Sequence, residues 1–527
     1  MPIEAVVAKI NDLQDGEMKE VLVGETKVLL TRIKGKFHAI GGICTHYGGH
    51  LAEGALCGER VYCPWHQSAF NVISGDLEEV PGLDAVPRFE VRVEGENVIV
   101  QVAEGASDRR TMPMAKLDPQ KDKRTFVILG AGGAAIAAAE TLRQDGFQGQ
   151  IVMISKDSSL PYDRPEVSKG YLKGDSPKEG MLWRSSDFYQ EHDIRVLLSR
   201  EVTEVDANAR TAKFRDGSSL KYDTLLLATG GIARHLRVRG ERLANIFTLR
   251  SMDDADRIVA AAANSVHTVC VGGSFIAMEV AQSLVKRGVN VTVVAASSLP
   301  FKYTLGPEIG QMWQQIHEEH GVSFRMGARV ARFDGEIFVR TVVLDDGTQL
   351  EADMVVVGIG SEPATNFLKG VHLNVGGTIT VDQYMRVMEG LFAAGDIARF
   401  PDWRTGELIR IEHWRLAMQL GRIAAHNMAG KKVAYTGVPF FWTDQFDNMM
   451  QYVGYVSGWD EIIYQGSPAD RNFMAFYVKH NQVLAAAGMQ HEKEMAALAE
   501  LMRLKQAPTP AECRKGVDLL ARLSGAR

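Results

Sequence analysis

The chain has 527 residues, too many for one core, so roughly three or four domains are expected. Its 59 basic and 65 acidic residues leave a net charge of −6, which excludes the basic footprint of a nucleic-acid binder. Five cysteines give no disulfide framework, no apolar run reaches membrane-spanning length, and MPIEAVVAKI lacks the stretches of a signal peptide. A cytoplasmic protein without a membrane span is the expectation.

Residues 1–105 read as short alternating strands, KEVLVGETKVLLTRIKGKFHAI before a first loop and RFEVRVEGENVIVQVAEG after a second. The loops carry Cys44-Thr45-His46 and Cys63-Pro64-Trp65-His66, a C-x-H and a C-x-x-H. Two thiolates suit one iron and two neutral imidazoles the other, the ligand set of a Rieske 2Fe–2S centre. Zinc uses the same residue types, so ligand identity alone leaves that alternative open. The flanks CTHYGGHLAEG and CPWHQSAFNVISGDLEEVPG, with their Gly and Pro turns, favour the cluster. His50 reads as a surface histidine rather than a fifth ligand.

From 106 to 124 the pattern lapses into ASDRRTMPMAKLDPQKDKR, a polar, proline-marked linker that would let the cluster domain move. TFVILGAGGAAIAAAETLRQDG then reads as buried strand, glycine turn and helix, with QIVMIS as the second strand. Gly130, Gly132 and Ala135 occupy the G-x-G-x-x-[GA] positions, where bare backbone approaches a pyrophosphate lying on the helix N-terminus. A second copy, TVCVGGSFIAMEVAQSLVKRG, keeps Gly272 and Gly273 but has Ser274 and Ala277 where glycine is usual. Two such folds imply two nucleotides, the alternative being that one is vestigial. The tail from Lys432 has its own strands and a helical stretch. The boundaries are therefore 1–105, linker 106–124, 125–243 with 366–431 as a split first nucleotide domain, 244–365 as the second, and 432–527 as an α+β domain.

The segments PYDRPEVSKGYL, ATGG, LRSMDDA, VVVGIGSEPATN, FAAGD, EHWRLAMQLGRIAAHNM and VPFFWTDQFD follow in that order. Together they resemble the FAD-dependent NAD(P)H:ferredoxin reductases of oxygenase systems. The nearest likeness is to the apoptosis-inducing-factor-like branch with an N-terminal Rieske domain. The resemblance implies a multidomain protein: a small all-β Rieske domain, an α/β flavoprotein of the glutathione-reductase type, and an α+β C-terminal domain. It implies FAD, a 2Fe–2S cluster held by Cys44, His46, Cys63 and His66, and NADH or NADPH as donor. Gly130, Gly132, Ala135, Arg164, Lys169, Arg250, Asp396 and His413 would bind FAD, and Gly272, Gly273, Phe275, Ile276 and Glu279 would line the nicotinamide nucleotide. Lys169 paired with Glu279, together with Trp414, would form the catalytic surroundings of the flavin.

Three departures matter. Where an acid normally takes the ribose hydroxyls, the first fold has Lys156 followed by Asp157, and the second has Ala295. Losing that second acid removes a contact to NADH and a repulsion of NADPH, leaving a slight preference for NADH. The extra cysteine pair of respiratory Rieske proteins is replaced by Gly49 and Trp65, which resembles the low-potential type, on the order of −150 mV.

The implied function is transfer from NAD(P)H through FAD to the cluster and on to a one-electron protein acceptor, with His66 or His46 as the exit. Deprotonation of those imidazoles should lower the potential at high pH. A homodimer is left open. Other classes are a slow NADH-binding signalling flavoprotein and the donor component of an assimilatory reductase. A disulfide reductase is disfavoured, because no C-x-x-C-like pair follows PYDRPEVSKG and Cys270 lies inside a buried strand. Trp442, in an aromatic run, reads first as core packing and second as part of an electron route.

Overall fold

A computed structural model describes residues 2–525, which divide into two compact units. One comprises the described residues up to Pro113 together with Thr436–Trp442 and Met450 onward; the other is Met114–Tyr435 with Thr443–Met449.

In the first unit, a six-stranded antiparallel sheet runs in the order Ile3–Lys9, Asn97–Val102, Arg88–Glu94, Lys36–Gly41, Thr26–Ile33, Met18–Val23. The strand Thr26–Ile33 is buried on both faces. Val28 and Leu30 join Val98 and Val100 in one core, while Leu29 joins Ile40, Phe70 and the cysteines Cys44 and Cys63 in another. That second core anchors a small four-stranded sheet, Ala55–Cys57, Arg60–Tyr62, Ala69–Asn71 and Leu77–Glu79, which carries the second ligand loop. The first part of the linker is tied down here: Ala85 and Arg110 exchange backbone hydrogen bonds at 2.9 and 2.8 Å, and Arg110 pairs with Asp76 at 2.5 Å. The C-terminal portion of the unit contains the strands Glu461–Ser467, Asn472–Lys479 and Gln482–Met489 and the helix Glu492–Arg503.

The second unit holds two parallel sheets. The first runs Ile194–Leu197, Gln150–Ile154, Thr125–Leu129, Thr224–Leu227, Leu391–Ala393, with an antiparallel edge at Arg386–Met388. The second runs Ile246–Thr248, Met354–Val357, His267–Val271, Asn290–Ala295, Ser323–Met326. The glycine turns leave the carboxyl ends of Leu129 and Val271, where such sheets bind ligands. Both central strands are near-continuous apolar runs, and in the second sheet Val269, Val271, Val355 and Val357 pack on Val330, Phe333, Val339 and Val342 of the antiparallel strands Val330–Gly335 and Val339–Leu344.

One buried titratable group of this unit gives a pH-dependent stability. His317, on the helix Pro307–Glu319, is fully buried, with Nδ1 2.9 Å from the Trp313 carbonyl and Nε2 3.3 Å from the Met278 carbonyl. Burial, reinforced by the nearby His320, lowers its pKa from 6.5 to about 4. Between those values the unfolded chain holds a proton that the native state does not, so stability is complete above pH 6.5 and declines toward pH 4. The loss is about 3 kcal/mol. Urea unfolding followed from pH 7 to pH 4.5 should show this decline, and His317→Gln should flatten it.

Candidate functional site

The two ligand loops are built alike. Cys44 N–H donates to Gly49 O at 2.9 Å and Cys63 N–H to Ser68 O at 2.8 Å. Gly48 N–H returns to Cys44 O and Gln67 N–H to Cys63 O, both at 3.1 Å. Each loop thus needs a left-handed residue four positions after its cysteine: Gly48 has φ +81° and Gln67 φ +57°. The turns bring like side chains together. His46 Nδ1 lies 3.0 Å from His66 Nδ1, and the Cys63 and Cys44 thiols share a hydrogen bond that lowers the Cys44 pKa and, with burial, raises that of Cys63.

Among the described residues, no group of three or more His, Cys, Asp and Glu converges on a single metal position. Ligands arriving as a thiol pair and an imidazole pair fit two irons better than one tetrahedral zinc. Positions 49 and 65 face each other, a Cβ at Gly49 standing 3.1 Å from the Trp65 ring and 3.0 Å from Cys63 Sγ. His50 turns away to Glu20 at 2.8 Å. Trp442 stands against His66, the two ring centroids 4.2 Å apart.

The two nucleotide folds repeat one turn. Gly130 N–H donates to Ile154 O and Gly272 N–H to Val294 O, each at 2.8 Å. Their φ values are +131° and +129°, and a Cβ would strike Ala228 O at 2.1 Å or Gly358 O at 2.3 Å, so only glycine fits. At Gly132, the N-cap of the helix Gly133–Gln144, a Cβ would meet nothing within 4 Å, leaving open backbone suited to a pyrophosphate. Ala135 lies buried one turn in. In the second fold, Gly358 comes so close that its Cβ would lie 3.0 Å from Ala277 N, which accounts for a small residue at 277.

Around the first fold, Arg250 Nη2 pairs with the buried Asp396 at 2.6 Å, and Arg164 Nη1 donates to Arg250 O at 2.5 Å. Asp157, not the exposed Lys156, turns toward these arginines, its carboxylate 3.6 Å from Arg164. His413 caps the helix Trp414–Met428, its Nδ1 accepting from Arg415 N–H, and Trp414 stacks on Trp183 with centroids 5.0 Å apart.

Lys169 Nζ lies 2.9 Å from Glu279, whose side chain is 4% exposed. Ser168 Oγ donates to the other Glu279 oxygen at 2.6 Å and Thr443 Oγ1 to the first at 3.0 Å, with Gln445 Nε2 donating to Thr443 at 2.8 Å. On the first turn of the helix Phe275–Lys286, which carries Glu279, Ile276 is exposed and Phe275 is half-buried, packing on Phe301. Sequence reasoning does not single out Ser168, Trp183 or Thr443. Ser168 and Thr443 do sit in motifs it uses, PYDRPEVSKGYL and VPFFWTDQFD, whereas Trp183 lies in none. Cys270 is fully buried, and burial pushes its thiol up to about 12, so it is inert.

Comparison with known proteins bears on the same elements. Pyridine nucleotide-disulphide oxidoreductase matches residues 124–421, Rieske [2Fe-2S] domain residues 4–90, and Reductase C-terminal residues 440–522. Apoptosis-inducing factor 3 of Homo sapiens is 39% identical over 95% of this chain and 84% of its own. The chain belongs to the FAD-dependent NAD(P)H:ferredoxin reductases, in the apoptosis-inducing-factor-like branch with an N-terminal Rieske domain. Putidaredoxin reductase CamA of Pseudomonas putida is 32% identical over 68% of this chain and 87% of its own. The covalent putidaredoxin reductase–putidaredoxin complex superposes at TM-score 0.72 with 29% identity, covering 76% of this chain and 99% of that one. This reductase is accordingly an oxidoreductase carrying electrons from NAD(P)H through FAD to a Rieske 2Fe–2S cluster and on to an acceptor. Among the described residues, no helix is long and apolar enough to cross a membrane.

Proposed function

We propose that the acceptor is a ferredoxin-type one-electron protein and that Cys44, His46, Cys63 and His66 hold the cluster that serves it. The observation carrying this reading is the pair of matched loops that present two thiols together and two imidazoles together. Bound FAD would supply the exchange between a two-electron nicotinamide donor and a one-electron carrier. Gly130, Gly132 and Ala135 would receive the FAD pyrophosphate, with Arg164, Arg250 and Asp396 beyond it and His413 and Trp414 along the ring. Gly272, Gly273, Phe275 and Ile276 would receive the nicotinamide nucleotide. Lys169, held by Glu279, presents an ammonium on the flavin side that favours developing negative charge. The named acceptors of the relatives, putidaredoxin among them, support a protein acceptor. Anaerobic titration with NADH and then NADPH, followed by absorbance and low-temperature EPR, tests the reading. A bleached flavin with a reduced Rieske signal is the expected result, and a bleached flavin with an oxidised cluster would refute the relay.

Donor choice is set beside Gly273, where a Cβ would come 3.1 Å from Ala295 Cβ and 3.3 Å from Ser297 Oγ. No Asp or Glu lies between Glu279 and Glu308 in the sequence, whereas Lys302 donates to Ser298 Oγ at 2.9 Å. With neither a carboxylate nor an arginine at the end of this strand, both donors should be used, NADH slightly better. Ala295→Glu supplies a charged acceptor for the ribose hydroxyls and should raise NADH selectivity about 10- to 100-fold, read as the ratio of kcat/KM values.

A further inference from the structure

The second ligand loop is held by the C-terminal domain at every position from 62 to 66 except the cysteine. Tyr62 donates its hydroxyl to the buried Glu500 at 2.6 Å, and Glu500 is fixed in turn by Arg503 at 2.6 Å. Gln451, 1% exposed on the strand Asn448–Gly454, donates its amide to Pro64 O at 2.6 Å and to Trp65 O at 2.9 Å. Two carbonyl acceptors on one amide nitrogen fix which way that amide is turned. Trp442, 9% exposed, lays its indole over the His66 imidazole at 4.2 Å with the planes 44° apart. All of these residues lie within the first unit.

From this we infer that Gln451 is a positioning residue for the cluster, fixing the peptide planes that lead into His66 and so the orientation and electronic surroundings of that ligand. The inference rests on the cluster assignment proposed above. Pro64 and Trp65 contribute the two carbonyls immediately before the ligand. Each carbonyl oxygen carries partial negative charge, which the Gln451 N–H groups offset. Without the donor, that negative charge stands uncompensated beside the cluster and favours its oxidised form, lowering the potential. Outer partners of this kind set ligand orientation as well as potential. A domain far along the sequence, with Gln451 lying 386 positions from Trp65, thereby tunes the cluster.

The test uses the full chain loaded with FAD and cluster, comparing wild type with Gln451→Leu and Gln451→Glu. EPR of the reduced protein and a redox titration at one fixed pH give the g-values and midpoint potential, and flavin reduction by NADH is followed separately. Both variants should show shifted g-values and a lower potential, with FAD content and flavin reduction as in wild type. Gln451→Glu keeps the shape and carries the test if Gln451→Leu fails to fold. Unchanged g-values and potential in a folded variant would overturn the inference, even where cluster occupancy falls, because a purely structural role would lower occupancy alone. Absence of a reduced Rieske signal in the wild type would instead refute the underlying cluster assignment.

Discussion

Cys44→Ser is expected to abolish the Rieske EPR signal and to reduce NAD(P)H-dependent reduction of a protein acceptor to background. Cys44 is 3% exposed and shares its site with Cys63, so a hydroxyl in its place withdraws a thiolate that nothing nearby replaces. Ferricyanide reduction, which needs only the flavin, should keep most of its rate, because Gly130, Gly132 and the Lys169–Glu279 pair belong to the other unit. Loss of both activities together would mean that the cluster is needed for the flavin protein to fold rather than for the relay. The first unit should also melt earlier in this variant, since cluster binding and folding are coupled where the ligands sit in the core.

What could be read from sequence follows from how local each signal is. That Cys44 and Cys63, and His46 and His66, come together in space was legible because C-x-H and C-x-x-H restrict residue type and spacing. Gly130 and Gly272 were legible because a positive φ and a close carbonyl admit only glycine. Gln67 adopts the same left-handed turn as Gly48, yet a glutamine there gives no signal. The contacts of Gln451, Trp442, Thr443 and Trp183 arise only when distant segments meet, and no periodicity encodes a partner 164 or 386 positions away. The Ala85–Arg110 pairing at the start of the 106–124 linker is a long-range contact of the same kind.

Lys169→Met is the substitution expected to cost the flavin unit most. Glu279 is 4% exposed and Lys169 19% exposed, so the pair lies largely out of water. Removing the cation leaves a buried carboxylate supported only by Ser168 and Thr443, and breaking a buried pair in this way costs about 3–5 kcal/mol. The two hydroxyl donors stay in place, which puts the expected loss at the lower end, about 3 kcal/mol. The double variant Lys169→Met/Glu279→Gln removes both charges and keeps the hydrogen-bonding shape, so it should recover most of that stability. Urea unfolding followed by flavin fluorescence measures all three proteins. A double variant no more stable than Lys169→Met would show that the charge pair is not what the fold loses. Rapid-reaction kinetics separates the chemical role: if the ammonium assists hydride transfer, the double variant regains stability while flavin reduction stays slow.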